Sequence, residues 1–407
     1  MLRSPWPRMF WRRARGSRMP LRSLAVRWAS ACLLVAGLWL SERTWHDTAL
    51  PPAQAQWPEA AQGIDFSHLQ RVDGGDIPMP ANTPAAHASN LLVMPPDHAA
   101  ALTAFWFAGE RESAPDVQIA ASQWDRATQR WSSARFVVNR HAMGAQLGFG
   151  LRRLGNPVAW LDGQGRMHLF VVATGWGGWA ASRILHLRQS SAGQGLQDLA
   201  LEPVGLLPLS WLWNTSLLVR NTPLPLQDGG MLLPVHFELG LKHAIALRFD
   251  SSGNMVAMER ISPHHDRLQP ALVAQSPSHW LAFMRVQRPD GKIAVAQQDP
   301  VVGHWHDLPD LTLENPDSAL AALGLSPGHM VLAFNPSATG RSSLALAHSA
   351  DGMQWNGLHT LAQGKPEDEF SYPSLAWADG ALWVSYTVDR KRIVWQRFAP
   401  APMEAKP

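Results

Sequence analysis

Short runs of alternating apolar and polar residues, separated by turn sequences, recur from residue 87 to the end of the chain. Three examples are residues 158–172, 244–261 and 375–388, which centre on the turns Asp162-Gly163-Gln164-Gly165, Asp250-Ser251-Ser252-Gly253 and Ala378-Asp379-Gly380. A period of two on both sides of a Gly-containing turn is typical of a β-hairpin. Helical periodicity of 3.6 is scarce in the same region. The pattern therefore predicts an all-β fold, either a sandwich or a propeller.

A weak internal repeat favours the propeller. The string Ser349-Ala350-Asp351-Gly352-Met353-Gln354-Trp355 has the form of an Asp-box, a hairpin turn in which Ser and Asp bond the backbone and Trp packs behind the turn. Degenerate copies lie at residues 298–305, 122–131 and 190–193. The 50 residues from Trp305 to Trp355 fit one four-stranded blade. At that period, about 320 residues form roughly six blades.

Tyrosine is rare in this chain. Twenty tryptophans and 13 phenylalanines supply its aromatic bulk, and only Tyr372 and Tyr386 are tyrosines. In such a chain we expect a tyrosine to be retained for its hydroxyl rather than for its volume. Tyr386 alternates with apolar residues on one face of a predicted strand, which indicates a core position. Tyr372 lies in Phe370-Ser371-Tyr372-Pro373-Ser374-Leu375, just before a predicted hairpin.

The basic residues are concentrated at the N-terminus. Nine of the 35 basic and two of the 32 acidic residues lie within residues 1–50, so residues 51–407 carry 26 basic and 30 acidic side chains, a net charge of −4. A mildly acidic body argues against a nucleic-acid-binding surface. Eight arginines precede the apolar run 28–40, which is typical of an export signal or a short membrane anchor, and we favour the anchor. We therefore expect an exported protein, anchored at the periplasmic face of the inner membrane, or periplasmic or secreted if the segment is cleaved.

Three segments follow from these patterns. They are the signal or anchor at 1–40, a linker rich in Pro, Ala and Gln at 41–85, and the propeller at 86–400. The single cysteine, Cys32, lies in the apolar run, so the body forms no disulfide and no cysteine metal site. The 17 histidines show no His-Glu-x-x-His spacing, and we predict neither a metal nor a cofactor.

Several strings occur together in a specific order and spacing. They are residues 106–116 (Trp-Phe-Ala-Gly-Glu-Arg-Glu-Ser-Ala-Pro-Asp), Leu268-Gln269-Pro270 with Met284-Arg285, Asn315-Pro316-Asp317-Ser318, Arg341 ahead of the Asp-box, and Ser371-Tyr372-Pro373-Ser374 with Tyr386-Thr387. With these strings, residues 87–398 resemble the neuraminidase-like proteins of the sialidase superfamily, which carry bacterial neuraminidase repeats. The resemblance implies a six-bladed propeller and an exo-acting, retaining glycosidase with a tyrosine nucleophile. We further expect a monomer with a glycan as its partner.

The resemblance assigns four residues to catalysis and substrate binding. Tyr372 matches the nucleophile, and Asp116, which follows Glu110-Arg111 at the expected interval, matches the acid/base. Arg285 and Arg341 match two of the three arginines that hold the substrate carboxylate by bidentate pairing. A phenol approaches the anionic anomeric centre of sialic acid with less repulsion than an ionised carboxylate does, which gives a physical reason for a tyrosine nucleophile.

Two positions depart from the sialidase pattern. His87 stands where the first arginine of the clamp is expected, and Gln269 stands where a glutamate would take the proton of the tyrosine. A glutamine orients a phenol but does not accept its proton, and loss of a base costs on the order of 10² to 10⁴ in rate. Glu112 and Glu238, the latter among apolar residues in Pro234-Val235-His236-Phe237-Glu238, are candidates for a replacement base.

Further residues are assigned to substrate binding. Arg111, Glu112 and Asn315 join the two departing positions in this group, although turn chemistry explains Asn315 about equally well. The string Gly175-Trp176-Gly177-Gly178-Trp179 either presents indole faces to a sugar or forms a hairpin tip. The sequence thus predicts an exported glycosidase for sialic acid or another acidic sugar. The alternatives are a glycan-binding propeller that lost the base, and a lyase that uses His87 or His236 as its base.

Overall fold

The computed structural model describes residues 21–45, 48–58, 64, 66–148, 150–190, 195–211, 214–288 and 291–400. The chain divides into two compact units, one that ends at Thr44 and one that begins at Trp45. The first contains most of a helix, α1 (Leu21–Trp45). No helix in the described ranges is both long and apolar enough to cross a membrane, so this finding gives the predicted anchor no support.

The described part of the second unit contains 26 strands in six antiparallel sheets, the blades. Strand β1 (Leu69–Asp76) precedes blade 1, which holds β2 (Ala85–Val93), β3 (Ala100–Gly109), β4 (Gln118–Asp125), β5 (Arg130–Trp131) and β6 (Arg135–Val138). Blade 2 holds β7 (Arg153–Leu161), β8 (Met167–Thr174), β9 (Ser182–Gln189) and β10 (Leu201–Leu206). Blade 3 holds β11 (Leu217–Val219), β12 (Leu224–Pro225), β13 (Met231–Phe237), β14 (His243–Phe249) and β15 (Met255–Arg260).

The other three blades are simpler. Blade 4 holds β16 (Arg267–Ala274), β17 (Trp280–Val286), β18 (Ala294–Gln298) and β19 (Trp305–Leu308), and blade 5 holds β20 (Ala321–Ser326), β21 (His329–Phe334), β22 (Ser343–Ser349) and β23 (Asn356–Gln363). Blade 6 holds β24 (Phe370–Ala378), β25 (Ala381–Val388) and β26 (Arg392–Pro400). A short helix, α2 (Arg140–Leu147), and 3-10 turns at Phe66–His68, Gly178–Ala181 and Leu196–Asp198 complete the described elements.

The blades form a ring in chain order. Each blade packs against the next, and the sixth packs against the first through β24 and β2. This arrangement confirms the predicted all-β, six-bladed propeller, and the three hairpins predicted from turn sequences are β7–β8, β14–β15 and β24–β25. Strands β3, β8, β16 and β25 are buried along their whole length, because the blades on either side cover both of their faces. The core therefore lies between neighbouring blades rather than in one central layer.

The ring is closed by a strand from the region predicted to be a linker. Strand β1 pairs antiparallel with β26 and becomes the outermost strand of blade 6. Upstream, Leu50 and Ala55 are buried in the core between blades 3 and 4, and the Ala55 N–H donates to the Pro277 carbonyl at 2.7 Å. The described parts of 48–85 thus differ from a free tether, because Leu50, Ala55 and strand β1 pack against or pair with the blades.

The predicted Asp-box is present between β22 and β23. The Asp351 Oδ1 accepts hydrogen bonds from the backbone N–H groups of Met353 and Gln354, both at 2.8 Å. The Trp355 indole donates to the Gly352 carbonyl at 2.9 Å and packs edge-on against Phe283. Asp125 and Asp299 accept from backbone N–H groups in the degenerate copies. Residues 191–193 of the fourth copy lie outside the described residues.

Candidate active site

Four of the innermost strands share a β-bulge near their first residues. In β2, β7, β16 and β24 two residues face one residue of the second strand, and the first of the two has a positive φ. These residues are Ala88 (φ 55°), Asn156 (φ 41°), Gln269 (φ 51°) and Tyr372 (φ 55°). A bulge re-aims the side chain that it carries, and left-handed backbone at a non-glycine residue costs on the order of 1–3 kcal/mol. Tyr372 and Gln269 therefore occupy equivalent positions in blades 6 and 4.

Tyr372 contacts side chains from three other blades. The Gln269 Nε2 donates to its hydroxyl oxygen, with the two atoms 3.4 Å apart. The His87 ring lies 4.2 Å from the Tyr372 ring, centroid to centroid. The guanidinium carbon of Arg220, which directly follows β11, lies over the same ring at 4.9 Å from its centroid. The phenol thus stands between an amide, an imidazole and a buried cation.

Gln269 links the tyrosine to Arg285. The Arg285 Nη1 donates to the Gln269 Oε1 at 3.1 Å, and its Nε donates to the Asp317 Oδ1 at 2.5 Å. Burial lowers the pKa of Arg285, but the hydrogen bond to Asp317 and the electrostatic interaction with Tyr372 outweigh it, so the net pKa is raised. Arg285 therefore remains a cation beside the phenol.

A second group of charges surrounds Glu369. Its Oε1 accepts from Arg341 Nη1 at 3.1 Å and from the Ser371 hydroxyl at 2.8 Å, and its Oε2 accepts from Arg390 Nε at 2.9 Å. Burial raises the pKa of Glu369, but the hydrogen bonds from Arg390 and Ser371 outweigh burial and hold the pKa at about 2. Arg390 also forms an ion pair with Glu112. The predicted residues Arg341 and Glu112 are thereby joined in one network.

The two groups meet at Asp317. Its carboxylate binds Arg285, and its backbone carbonyl accepts from Arg341 Nη2 at 2.9 Å. The two predicted arginines of the clamp therefore flank one residue, and both are already paired with a protein carboxylate. An anionic ligand at this point would share the arginines with Asp317 and Glu369.

His87 is buried and neutral. Burial, helped by the charge of Arg390 and opposed by that of Glu369, lowers the pKa of His87 to about 3. The ring borders a narrow cleft that leaves no room for a water molecule and whose lining includes Phe107, Arg111, Glu112 and Arg390. Arg390 therefore brings positive charge to the region where the expected first arginine is absent. A base with so low a pKa is weak at neutral pH, which disfavours His87 as the base of a lyase.

Asp116 lies on the loop between β3 and β4, at the same face of the propeller as the bulges. Its carboxylate is exposed, and the Oδ2 accepts from the Glu110 N–H at 2.8 Å. Trp179 supports this loop, because its indole donates to the Ser113 hydroxyl at 2.8 Å. Trp176 is 82% exposed, with the Arg152 guanidinium stacked on its ring at 3.8 Å. The structure therefore places Asp116 at the rim, not in contact with Tyr372.

Glu238 pairs with a histidine rather than with the phenol. It follows β13, and its Oε2 lies 3.6 Å from the Nε2 of His236, a fully buried side chain. Burial raises the pKa of Glu238, but the interactions with His236, Arg285 and Lys242 outweigh it and leave the pKa lowered. Glu238 is thus an ionised neighbour of Arg285. Among the hydrogen bonds of the described residues, none joins it to Tyr372.

Asn315 has a structural environment. It is fully buried, its Nδ2 donates to the carbonyls of Pro316 and Ser318, and its Oδ1 accepts from the Asn335 N–H. The Asn335 Nδ2 in turn donates to the carbonyl of Phe370, at 2.8 Å, and so positions the start of β24. Asn315 is therefore occupied by backbone groups, and the turn explanation of this residue is the better one. No cluster of metal-ligating side chains occurs in the described ranges.

Comparison with known proteins agrees with this architecture. The family model described as a BNR repeat-like domain matches residues 100–384. The chain belongs to this BNR repeat-like family. Membership confirms the resemblance to sialidase-type repeat proteins that the sequence strings carry. Among curated proteins, no sequence matches the chain.

Solved structures share the propeller of this BNR repeat-like chain. The Hadza microbial sialidase Hz136 matches with a TM-score of 0.62 and 15% identity over 78% of this chain and 66% of that one. The Trypanosoma rangeli sialidase in complex with sialic acid matches with a TM-score of 0.61 and 12% identity over 82% of this chain and 59% of that one. A protein of unknown function from Dyadobacter fermentans matches with a TM-score of 0.63 and 10% identity over 82% of this chain and 100% of that one. This chain therefore spans about two thirds or less of the two sialidases, and such identities show the fold alone.

Four charged residues of the candidate active site were not predicted from the sequence. They are Arg220, Asp317, Glu369 and Arg390, all of which contact a predicted residue. One signal was available for the bulges, since Asn156-Pro157, Gln269-Pro270 and Tyr372-Pro373 repeat an X-Pro pair at the start of innermost strands. Proline lacks an N–H and is tolerated where the strand ladder is interrupted.

Proposed function

We propose that the protein is an exo-acting, retaining glycoside hydrolase for a terminal acidic sugar of a glycan. The observation that carries this proposal is the setting of Tyr372. Its bulge turns a hydroxyl-bearing side chain towards Gln269, and Arg220 and Arg285 lie beside it. Tyrosine nucleophiles occur in glycosidases whose substrate carries an anionic anomeric centre. Export and a monomeric state belong to the proposal on the sequence alone.

The proposed reaction has two displacements. The Tyr372 oxygen, ionised by loss of its proton to water, attacks the anomeric carbon, the glycosidic bond breaks, and the leaving oxygen takes a proton from Asp116. In the second step the Asp116 carboxylate removes a proton from water, which displaces Tyr372 with retention of configuration. Because Asp116 lies at an exposed rim, it is available to a leaving group that points to solvent.

An acidic sugar fits the charges of the site. Arg285 and Arg341 flank Asp317, and Arg390 lines the narrow cleft at His87. A substrate carboxylate would take up the donors of these guanidinium groups that face the ligand. Because each arginine also holds a protein carboxylate, we expect the affinity for the anionic group to be moderate and to fall with added salt.

The first experiment is a hydrolysis assay with the full chain on a panel of aryl sialosides and aryl uronides. We expect release of the aryl group from at least one member, and loss of that activity by about 10³-fold or more in Tyr372→Phe. Tyr386→Phe is the matched control, because the buried Tyr386 hydroxyl donates to the Leu361 carbonyl of blade 5 and accepts from Gln396 of blade 6. A folded protein that hydrolyses no member of the panel would contradict the proposal.

A second candidate function is glycan binding without turnover. The observation that favours it is the amide of Gln269 at the position where the phenol would otherwise meet a base. This candidate predicts binding to an array of sialylated and uronate-bearing glycans that Tyr372→Phe leaves unchanged, with no product released. The hydrolase instead predicts that the protein forms product, either released or still bound to the site, and that product formation depends on Tyr372.

A further inference from the structure

Arg220 is a buried cation that has no carboxylate partner among the described residues. Its side chain is 2% exposed, its Nη2 donates to the Pro373 carbonyl at 2.7 Å, and its Nε has no hydrogen-bond acceptor. Burial lowers the pKa of Arg220 to about 10, and the interaction with Tyr372 opposes that decrease. A buried, unpaired charge is costly, so the interior around Arg220 favours a compensating negative charge.

Tyr372 is the group that Arg220 faces. The guanidinium carbon lies 4.9 Å from the centre of the phenol ring, and the Pro373 carbonyl that anchors Arg220 belongs to the next residue of the same bulge. The bulge of β24 therefore fixes the cation and the phenol relative to each other. Negative charge on the phenol would be compensated with no rearrangement.

The orientation of Gln269 is fixed by Arg285. Arginine has only donors, so the amide oxygen of Gln269 must face Arg285 Nη1, which lies 3.1 Å away. The amide nitrogen then faces the Tyr372 oxygen and can only donate to it. A glutamate at this position would accept a proton from the phenol, whereas this glutamine supplies one hydrogen bond to the oxygen. The polarity of the contact is thus reversed.

We propose that Arg220 and Gln269 stabilise the ionised form of Tyr372, so that the nucleophile is activated by charge rather than by a carboxylate base. This inference deepens the proposed function and rests on it for its catalytic meaning. The phenol loses its proton to water before the sugar binds, and the oxygen then carries the electron pair that forms the bond to the anomeric carbon. Arg220 is a positioning residue here, because it acts through Tyr372.

Other charged groups around the phenol are compatible with this arrangement. From β2, His87 is neutral because its pKa is about 3. From blade 4, Arg285 adds a second cation. Three surrounding carboxylates are paired with arginines, namely Asp317 with Arg285, Glu369 with Arg341 and Arg390, and Glu112 with Arg390, while Glu238 lies 3.6 Å from the Nε2 of His236. The phenol therefore faces cations and an amide donor directly.

The test is a pH titration of the full chain labelled with ¹³C at the ζ carbon of tyrosine, followed by nuclear magnetic resonance. The chain has two tyrosines, so two signals are expected, and Tyr372→Phe identifies one of them. Burial raises the pKa of Tyr386, which separates the two transitions. We expect the Tyr372 signal to reach its tyrosinate position at lower pH than both the Tyr386 signal and the tyrosine of an unstructured peptide.

Two substitutions of different kinds test the cause. Arg220→Met removes the cation, and Gln269→Glu, which preserves shape, replaces the donor with a carboxylate. Each should move the Tyr372 transition to higher pH by at least about one unit, while Arg220→Lys retains most of the wild-type position. If Arg220→Met does not fold, Gln269→Glu alone decides the question. An unchanged transition in Gln269→Glu, and in Arg220→Met where that variant folds, overturns the inference.

The titration needs no substrate, so its outcome is separate from that of the proposed function. Shifted transitions without hydrolysis of any sugar would contradict the hydrolase and leave the charge-stabilised tyrosine in place. Hydrolysis with unshifted transitions would support the hydrolase and contradict the charge-stabilised tyrosine. Where hydrolysis is found, Arg220→Met should lower kcat/KM at neutral pH by on the order of 10² or more, with the acid limb of the profile displaced to higher pH.

Discussion

Glu369 is the carboxylate on which the ion pairs of the site depend. It holds Arg341, Arg390 and the Ser371 hydroxyl, and the bulge residue Tyr372 follows it by three residues. Its pKa of about 2 lies below the ordinary value of 4.5. A group with a depressed pKa contributes stability that is complete above its unfolded pKa and is lost as the pH falls through the folded one. Glu369 therefore stabilises the propeller most above about pH 4.5 and progressively less towards pH 2.

We expect Glu369→Gln to lower the free energy of unfolding by on the order of 3 kcal/mol at pH 7, because the difference in pKa corresponds to that amount. The gap between wild type and variant should shrink as the pH falls from 4.5 towards 2. Urea unfolding at several pH values measures it. Glu367→Gln, an exposed carboxylate two residues away, is the matched control and should leave the stability unchanged. A gap that is independent of pH over this window would contradict the assignment.

The sequence predicted several residues of the site but not the charged residues that contact them. Tyr372, Arg285, Arg341 and Gln269 lie together, as the resemblance implies. The sequence gives no signal that Arg220 belongs to the site, because an arginine followed by Asn-Thr-Pro is typical of an ordinary turn. Only the closure of the ring brings Arg220 to Tyr372 in another blade. Partners of this kind depend on contacts between blades, which the alternation of a single strand does not encode.

The repeated bulge is the structural element that presents site residues at one face of the blades. Ala88 and Asn156 adopt the same backbone as Gln269 and Tyr372, so the strain belongs to the blade and not to the chemistry. At Gln269 the neighbouring blade 3 holds the bulge in place. The Asn221 Nδ2 donates to the carbonyls of Gln269 and Pro270 at 3.0 and 2.9 Å. A repeated structural device thus presents different side chains at one face of the ring.

The Asp-box belongs to the opposite end of the blade, between the third and fourth strands. We expect Asp351→Ala to lower the free energy of unfolding by about 1–3 kcal/mol, because the Asp351 carboxylate accepts from two backbone N–H groups and from the Ser349 hydroxyl. Ligand affinity and kcat should not change, since the turn is remote from Tyr372. Chemical unfolding and titration with the best ligand of the panel measure the two effects. A changed affinity at unchanged stability would assign the Asp-box to the site instead.

Closure of the ring determines whether the six blades form one cooperative unit. Blade 6 takes three strands from the C-terminal part of the chain and its outermost strand, β1, from residues 69–76. Without β1, the edge of β26 would expose unpaired backbone groups, and Leu69 would be lost from the core of that blade. The two ends of the propeller therefore meet in one sheet, and every blade is restrained on both sides.

Truncations separate this closure from the rest of the N-terminal region. A chain that begins at Trp45 should unfold at the wild-type temperature, because the propeller unit is compact by itself. A chain that begins at Phe66 keeps β1 but loses Leu50 and Ala55 from the core between blades 3 and 4, and we expect a lower but still cooperative transition. A chain that begins at Ile77 lacks β1 and should form no folded monomer, since net stabilities are only about 5–15 kcal/mol. Calorimetry with light scattering distinguishes the three, and cooperative unfolding of the shortest chain at the wild-type temperature would show that β1 does not close the ring.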